Sequence, residues 1–227
     1  MTDRVIAIDG PAGSGKSSVS RKVAAALDWV MLDTGAMYRA ITSAVLEAGV
    51  PPEDSARVAE VARAVGVRVD TDPSDSTVFL NGIDVTNEIR SAEVTAAVSA
   101  VSAVSAVRER LVELQRETVS KSRHGIVIEG RDIGSVVLPD ARLKIYLTAD
   151  PRVRALRRSS ELGNPVTEAE LDAMQAIIME RDSKDSSREI SPLQVAPDAV
   201  VIDTSHLSQE QVVAAVTDLA REVYPNL

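Results

Sequence analysis

The chain has 227 residues, a formal net charge of −9, no cysteine and two histidines, His124 and His206. The length suits one generous α/β domain with smaller inserted pieces. The composition excludes disulfides, thiol nucleophiles, cysteine or histidine metal clusters and a serine–histidine triad. An acidic balance argues against wrapping a nucleic acid polymer, and five aromatic residues are too few for a base-stacking platform. With no apolar run near the roughly 18 residues of a membrane span and a polar start, Met1-Thr2-Asp3-Arg4, a cytoplasmic protein without a membrane is expected.

Val5-Ile6-Ala7-Ile8 is wholly apolar and ends in Asp9-Gly10, the pattern of a buried parallel strand. A glycine-rich turn leads into a helix from about Gly15 to Leu27. A second strand follows at Trp29-Leu32, then a turn at Asp33-Thr34-Gly35 and a helix from Met37 to Ala48. Ser55 is placed to cap a helix through Ala64.

From Val67 the rhythm changes: Val67-Asp70, Thr77-Leu80 and Ile83-Val85 are short strands, with Asn81-Gly82 a strong hairpin signal between two of them. An inserted subdomain is therefore expected. Ala97 to Val107 is an Ala-Val-Ser repeat, with a helix break near Ser105 and a second helix to about Val119. Strand and helix then alternate again. Ile126-Glu129, Leu143-Leu147 and Ala199-Asp203 read as strands, Arg152-Leu162 and Glu168-Lys184 as helices. Ser208 and Gln211 form a capping box for a helix to Val223, and Met174 and Met179 read as core filling. Five apolar strands alternating with helices predict a parallel sheet covered on both faces.

Gly10-Pro11-Ala12-Gly13-Ser14-Gly15-Lys16-Ser17 fits G-x-x-x-x-G-K-[ST] at every fixed position, between a strand and a helix start. Backbone N–H groups of such a loop, with the helix N-terminus, cradle phosphates. Lys16 would hold the β- and γ-phosphates and Ser17 would place a hydroxyl on Mg²⁺, with Ser18 closing the ATP-binding loop. The Asn-Lys-x-Asp string of GTPase switches is absent, and Ile126-Val127-Ile128-Glu129 is a near match to the acid-tipped strand of motor ATPases.

Arginine placement adds a second signal. Arg152, Arg154, Arg157 and Arg158 fall in a stretch without acids; Arg181, Lys184 and Arg188 form another concentration. Arg39 and Arg131 follow the C-terminal ends of predicted strands, the ligand-binding edge of an open α/β sheet. Phosphoryl transfer needs fixed cations around the travelling group. Asp132 and Asp185 could accept a substrate proton or pair with a nearby arginine, and sequence leaves these two roles level.

Several strings resemble bacterial cytidylate kinases. They are Ile8-Asp9-Gly10-Pro11-Ala12-Gly13-Ser14-Gly15-Lys16-Ser17, Leu32-Asp33-Thr34-Gly35-Ala36-Met37-Tyr38-Arg39, Glu129-Gly130-Arg131-Asp132-Ile133-Gly134, and Glu180-Arg181-Asp182 with Asp185 and Arg188. The resemblance implies an α/β P-loop kinase: a five-stranded parallel sheet flanked by helices, an antiparallel β-hairpin subdomain binding the nucleoside monophosphate, and a short helical lid. The core would take 1–58, 102–150 and 186–227, the insert 59–101 and the lid 151–185.

By the same resemblance, Thr34, Arg39 and Arg131 would surround the phosphate and ribose of CMP. Ser99, Arg108 and Asp132 would read the cytosine edge, with Ser102 and Ser105 equivalent to Ser99 because a shift of three residues leaves the repeat unchanged, and Arg181, Asp185 and Arg188 would face the sugar and the moving phosphate. Arg154, Arg157 and Arg158 would close over ATP. Catalysis would rest on Lys16, Arg131, Asp132, Arg181 and Arg188. The implied reaction is Mg²⁺-dependent transfer from ATP to CMP or dCMP by a monomer. A small kinase for UMP, AMP, dTMP or a phosphate-free acceptor is the alternative within enzymes, and a non-catalytic ATP-binding module the alternative outside them.

Overall fold

The computed structural model describes residues 4–161 and 167–226, so the start Met1–Asp3 and the expected helix end at Leu162 lie outside it. In chain order the elements are β1 (Val5–Asp9), α1 (Lys16–Leu27), β2 (Val30–Asp33), α2 (Thr34–Glu47), α3 (Ser55–Ala64), β3 (Val67–Val69), β4 (Val78–Leu80) and β5 (Ile83–Asp84). They continue with α4 (Ala92–Ala103), α5 (Ser105–Lys121), β6 (Ile126–Gly130), β7 (Leu143–Thr148), α6 (Pro151–Glu161), α7 (Glu168–Ser186), β8 (Val200–Asp203) and α8 (Gln209–Val223).

Five of the strands form one parallel sheet in the order β2-β6-β1-β7-β8. Its two faces follow the period of two along each strand. Ala7, Ile126 and Ile128 point to the core under α2, α3, α4 and α5, whereas Ile6, Ile8 and Val127 point to the core under α1 and α8. Burying each such aliphatic side chain stabilises the fold by about 1.5–3 kcal/mol before entropy is charged against it. The register sets Asp9 beside Gly130 and Asp33 beside Glu129, so the strand ends on either side of the phosphate loop finish level with one another.

β3, β4 and β5 make a separate antiparallel sheet, turned at Asn81-Gly82 with φ of 51° and 83°. The helix break falls at Val104, whose extended backbone separates α4 from α5.

Four local expectations need correction. No turn intervenes after β2: α2 begins at Thr34, and the Asp33 carboxylate caps it by accepting the Ala36 amide at 3.0 Å. Asp54, not Ser55, caps α3, through the Arg57 amide. Met179 is not core filling; it is 49 % exposed, while Met174 packs with Ala155, Leu171 and Ile178 between α6 and α7. A π-helical turn, Ile133–Val137, follows β6 where only a loop was expected, because two of its amides find a buried carboxylate. No helix among the described residues is long and apolar enough to cross a membrane.

Candidate active site

The loop between β1 and α1 has the backbone its glycines allow. Gly13 has φ of 73°, and a Cβ there would stand 2.9 Å from the Arg154 carbonyl; one at Gly10 would stand 2.1 Å from that of Leu147. α1 opens on Gly15 with no side-chain cap and no acid in its first turn, which leaves its leading amides for an anion. Lys16 is 6 % exposed and folds across the loop, donating to the Pro11 carbonyl at 2.7 Å and reaching Ser14 Oγ at 3.4 Å. Burial pushes its ammonium down to about 7; Arg131 and Arg181 push the same way, and Glu129 and Asp9 oppose them.

Two buried acids stand beside this lysine. Asp9 closes β1 and accepts the amides of Ile133 and Gly134; burial still raises its carboxyl to about 6. Glu129 closes the hydrogen-bonding core of β6, and burial with nearby Asp33 raises it to about 7, against the pull of Lys16 and the Ser17 hydroxyl. Its Oε1 is buried and has no hydrogen-bond partner. An orphaned carboxylate oxygen next to a hydroxyl is a donor set suited to Mg²⁺, which takes one or two protein oxygens and completes its shell with phosphates and water.

The arginines converge on the same place. Arg181 is lowered to about 10, by burial first and Arg131 second, and its buried Nε has no partner. Arg39 is lowered by burial and by Arg158; it donates to the Ile89 carbonyl at 3.1 Å and Thr95 Oγ1 at 3.0 Å, which ties α2 to the segment before α4. Arg131 reaches Asp185 at 3.3 Å. Cations that depress one another, with N–H groups left unpaired, form an anion site.

Farther along, Arg108 and Asp132 make a buried ion pair at 2.5 Å, and the Arg108 guanidinium sits 5.2 Å from the Tyr38 ring centroid. Arg188 is lowered by burial, lies 3.6 Å from Asp185, and keeps a buried Nη2 without a partner. Both acids left open by the sequence are therefore paired with arginines here. Of the three repeat serines, Ser102 stands at this cluster: its carbonyl accepts Arg108 at 3.2 Å and its Oγ lies 3.5 Å from Arg188. Ser99 lies a turn away, its carbonyl accepting the Ser102 hydroxyl. Thr34 is buried and donates to the Glu129 carbonyl at 2.7 Å.

The lid arginines differ among themselves. Arg154 donates to the carbonyls of Ala149 and Ala12, at 3.0 and 2.9 Å, and pairs with Asp182. Arg157 is held by the hydroxyl and carbonyl of Thr204. Arg158 faces Arg39 closely enough to lower it.

Sequence reasoning left Asp9, Glu129 and Asp182 without roles, and it did not separate Ser102 from Ser99 and Ser105. For Asp9 and Glu129 the signal was present, since an acid closing a strand buried on both faces must have a partner. His124 and His206 are exposed loop residues.

The chain's likeness to known proteins agrees with this geometry. The profile of the cytidylate kinase family matches residues 6–222. A cytidylate kinase of Mycolicibacterium paratuberculosis is 52% identical over 97% of this chain and 96% of its own length. That of Streptomyces avermitilis is 50% identical over 96% and 93%, and that of Limosilactobacillus reuteri 43% over 98% and 97%. The chain belongs to the cytidylate kinase family.

Proposed function

We propose that the chain transfers the γ-phosphate of ATP to CMP or dCMP, releasing ADP and CDP or dCDP. The observation that carries this reading is the convergence of buried Lys16 with the half-buried Arg131 and Arg181 at the mouth of the phosphate loop, with unpaired N–H groups on Arg181 and Arg188.

The acceptor phosphate is already an anion at neutral pH, so the attacking oxygen needs no strong base. It approaches the γ-phosphorus in line as the bond to the ADP oxygen lengthens. The loop amides from Gly13 to Ser18 and Lys16 hold the ATP phosphates. Thr34, Arg39 and Arg131 take the acceptor phosphate, and Arg181 and Arg188 neutralise charge on the moving group. Thr34 must first release the Glu129 carbonyl. Arg108 and Asp132 present a donor and an acceptor to the cytosine edge, with Ser102 in place of Ser99 beside them and Asp185 toward the sugar. Mg²⁺, when bound with ATP, supplies further neutralisation of the triphosphate, and Ser17 and Glu129 are the residues to hold it. Closure of the insert and of the helices carrying Arg154, Arg157 and Arg158 excludes water, which suppresses plain ATP hydrolysis.

Two variants test the assignment. Lys16→Ala abolishes transfer while circular dichroism remains that of the folded protein; unchanged turnover overturns the loop's role. Arg131→Ala impairs use of the monophosphate, and an effect confined to ATP affinity contradicts its place.

A further inference from the structure

Asp9 is used by none of the steps above, yet both of its carboxylate oxygens are engaged. It is 5 % exposed, and each of its oxygens accepts one backbone amide: Oδ1 that of Ile133 at 2.8 Å and Oδ2 that of Gly134 at 2.7 Å. These two amides directly follow Arg131 and Asp132. The side chains of that pair diverge, Arg131 toward Asp185 and Asp132 toward Arg108.

The segment is held from the other side as well. A Cβ on Gly134 would lie 3.1 Å from Lys144 Cδ, and Lys144 cannot easily withdraw, because its ammonium is fixed on Asp198 at 2.8 Å and on the Pro139 carbonyl. Asp132 itself adopts φ of −141° and ψ of 22°, outside the helical region, immediately before the π-helical turn. Without an anchor, such a junction would sample several backbone states, and each would aim Arg131 and Asp132 differently.

We infer that Asp9 is a positioning residue: its carboxylate, by accepting the amides of Ile133 and Gly134, sets the backbone from which Arg131 and Asp132 reach the nucleoside monophosphate. This deepens the proposed function and rests on it for the identity of that substrate. Asparagine cannot replace the carboxylate, because one of its two terminal atoms is a donor that would face an amide N–H. The raised carboxyl pKa of about 6 accords with the cost of keeping an anion here, with Asp132 adding repulsion and Lys16 relieving it.

The test has two arms. In Asp9→Asn, kcat/KM for CMP falls roughly a hundredfold while KM for Mg·ATP stays within about twofold, since a displaced residue acts mainly through the groups it aims. Unchanged kcat/KM for CMP, or equal loss toward both substrates, overturns the proposal. Should that variant fail to fold, Gly134→Ala strains the same segment without altering a charge: a CMP-selective loss supports the role of the segment's placement, and an unaltered profile overturns it. The second arm needs no activity. In proton–nitrogen correlation spectra of the wild-type protein, the amide protons of Ile133 and Gly134 lie downfield, as charge-assisted hydrogen bonds require. Amide protons at ordinary positions refute the contact itself. If instead the wild-type enzyme ignores CMP while both amides lie downfield, the substrate reading fails and the anchor stands.

Discussion

The carboxylate of Asp182, on α7, accepts the amide of Ala12 at 3.1 Å, so the tip of the phosphate loop is tied to the late helices before any nucleotide is bound. Arg154 completes the link by donating to the Ala12 carbonyl while pairing with the same carboxylate. Helices α6 and α7 and the phosphate loop thus share one hydrogen-bonded junction.

Breaking that junction loosens the loop. Asp182→Ala is expected to raise KM for ATP roughly tenfold, with KM for CMP within about twofold. It also leaves Arg154 partly buried without its anion, at a cost of about 1–3 kcal/mol in unfolding free energy. Steady-state kinetics with each substrate varied separately, together with urea denaturation, checks both parts.

The Arg108–Asp132 pair has side-chain exposures of 3% and 5%, so neither charge can find water if the other is removed. Arg108→Met is expected to destabilise the protein by about 3–5 kcal/mol, and Arg108→Met with Asp132→Leu to recover most of that loss. Neither the single nor the double variant regains CMP turnover. A double-mutant cycle from urea midpoints gives the coupling energy directly.

Lys16 gives a pH signature. Burial pushes its ammonium down to about 7, so the free site gives up its proton as the pH rises through neutrality. A triphosphate in the loop favours the charged form and raises that pKa, so metal-free ATP binding takes up a proton at pH 7.5 and little at pH 6. Calorimetry in two buffers of different ionisation enthalpy measures the uptake, and Lys16→Met is expected to reduce it.

Much of this architecture could be read along the chain because its signals are local. The phosphate loop lies between an apolar strand and a helix, Asn81-Gly82 turns the hairpin, and Ser208 with Gln211 forms the capping box that starts α8. The spatial order of the parallel strands is another matter, because apolar runs such as Val5-Ile6-Ala7-Ile8 and Ile126-Val127-Ile128 carry nothing that says which neighbours they choose. The serine repeat fails for a related reason: a shift of three residues leaves the pattern unchanged, and only packing against Arg108 and Arg188 singles out Ser102. Counting arginines also said nothing about direction. Arg154 and Arg157 are held by Ala12, Asp182 and Thr204, partners far away in sequence. Asp9 and Asp182 find amides 124 and 170 residues distant, which no local rule anticipates.

Lys16, Arg131 and Arg181 stand where transfer between ATP and a cytosine monophosphate needs fixed cations. ADP release from Mg·ATP, measured with CMP, dCMP, UMP, AMP, GMP and dTMP in turn and with no acceptor, tests that role most directly. The account predicts strong turnover with CMP and dCMP and little with the rest. Equal turnover with a purine monophosphate would contradict the cytosine roles of Arg108 and Asp132, and ADP release indifferent to any acceptor would contradict phosphoryl transfer itself.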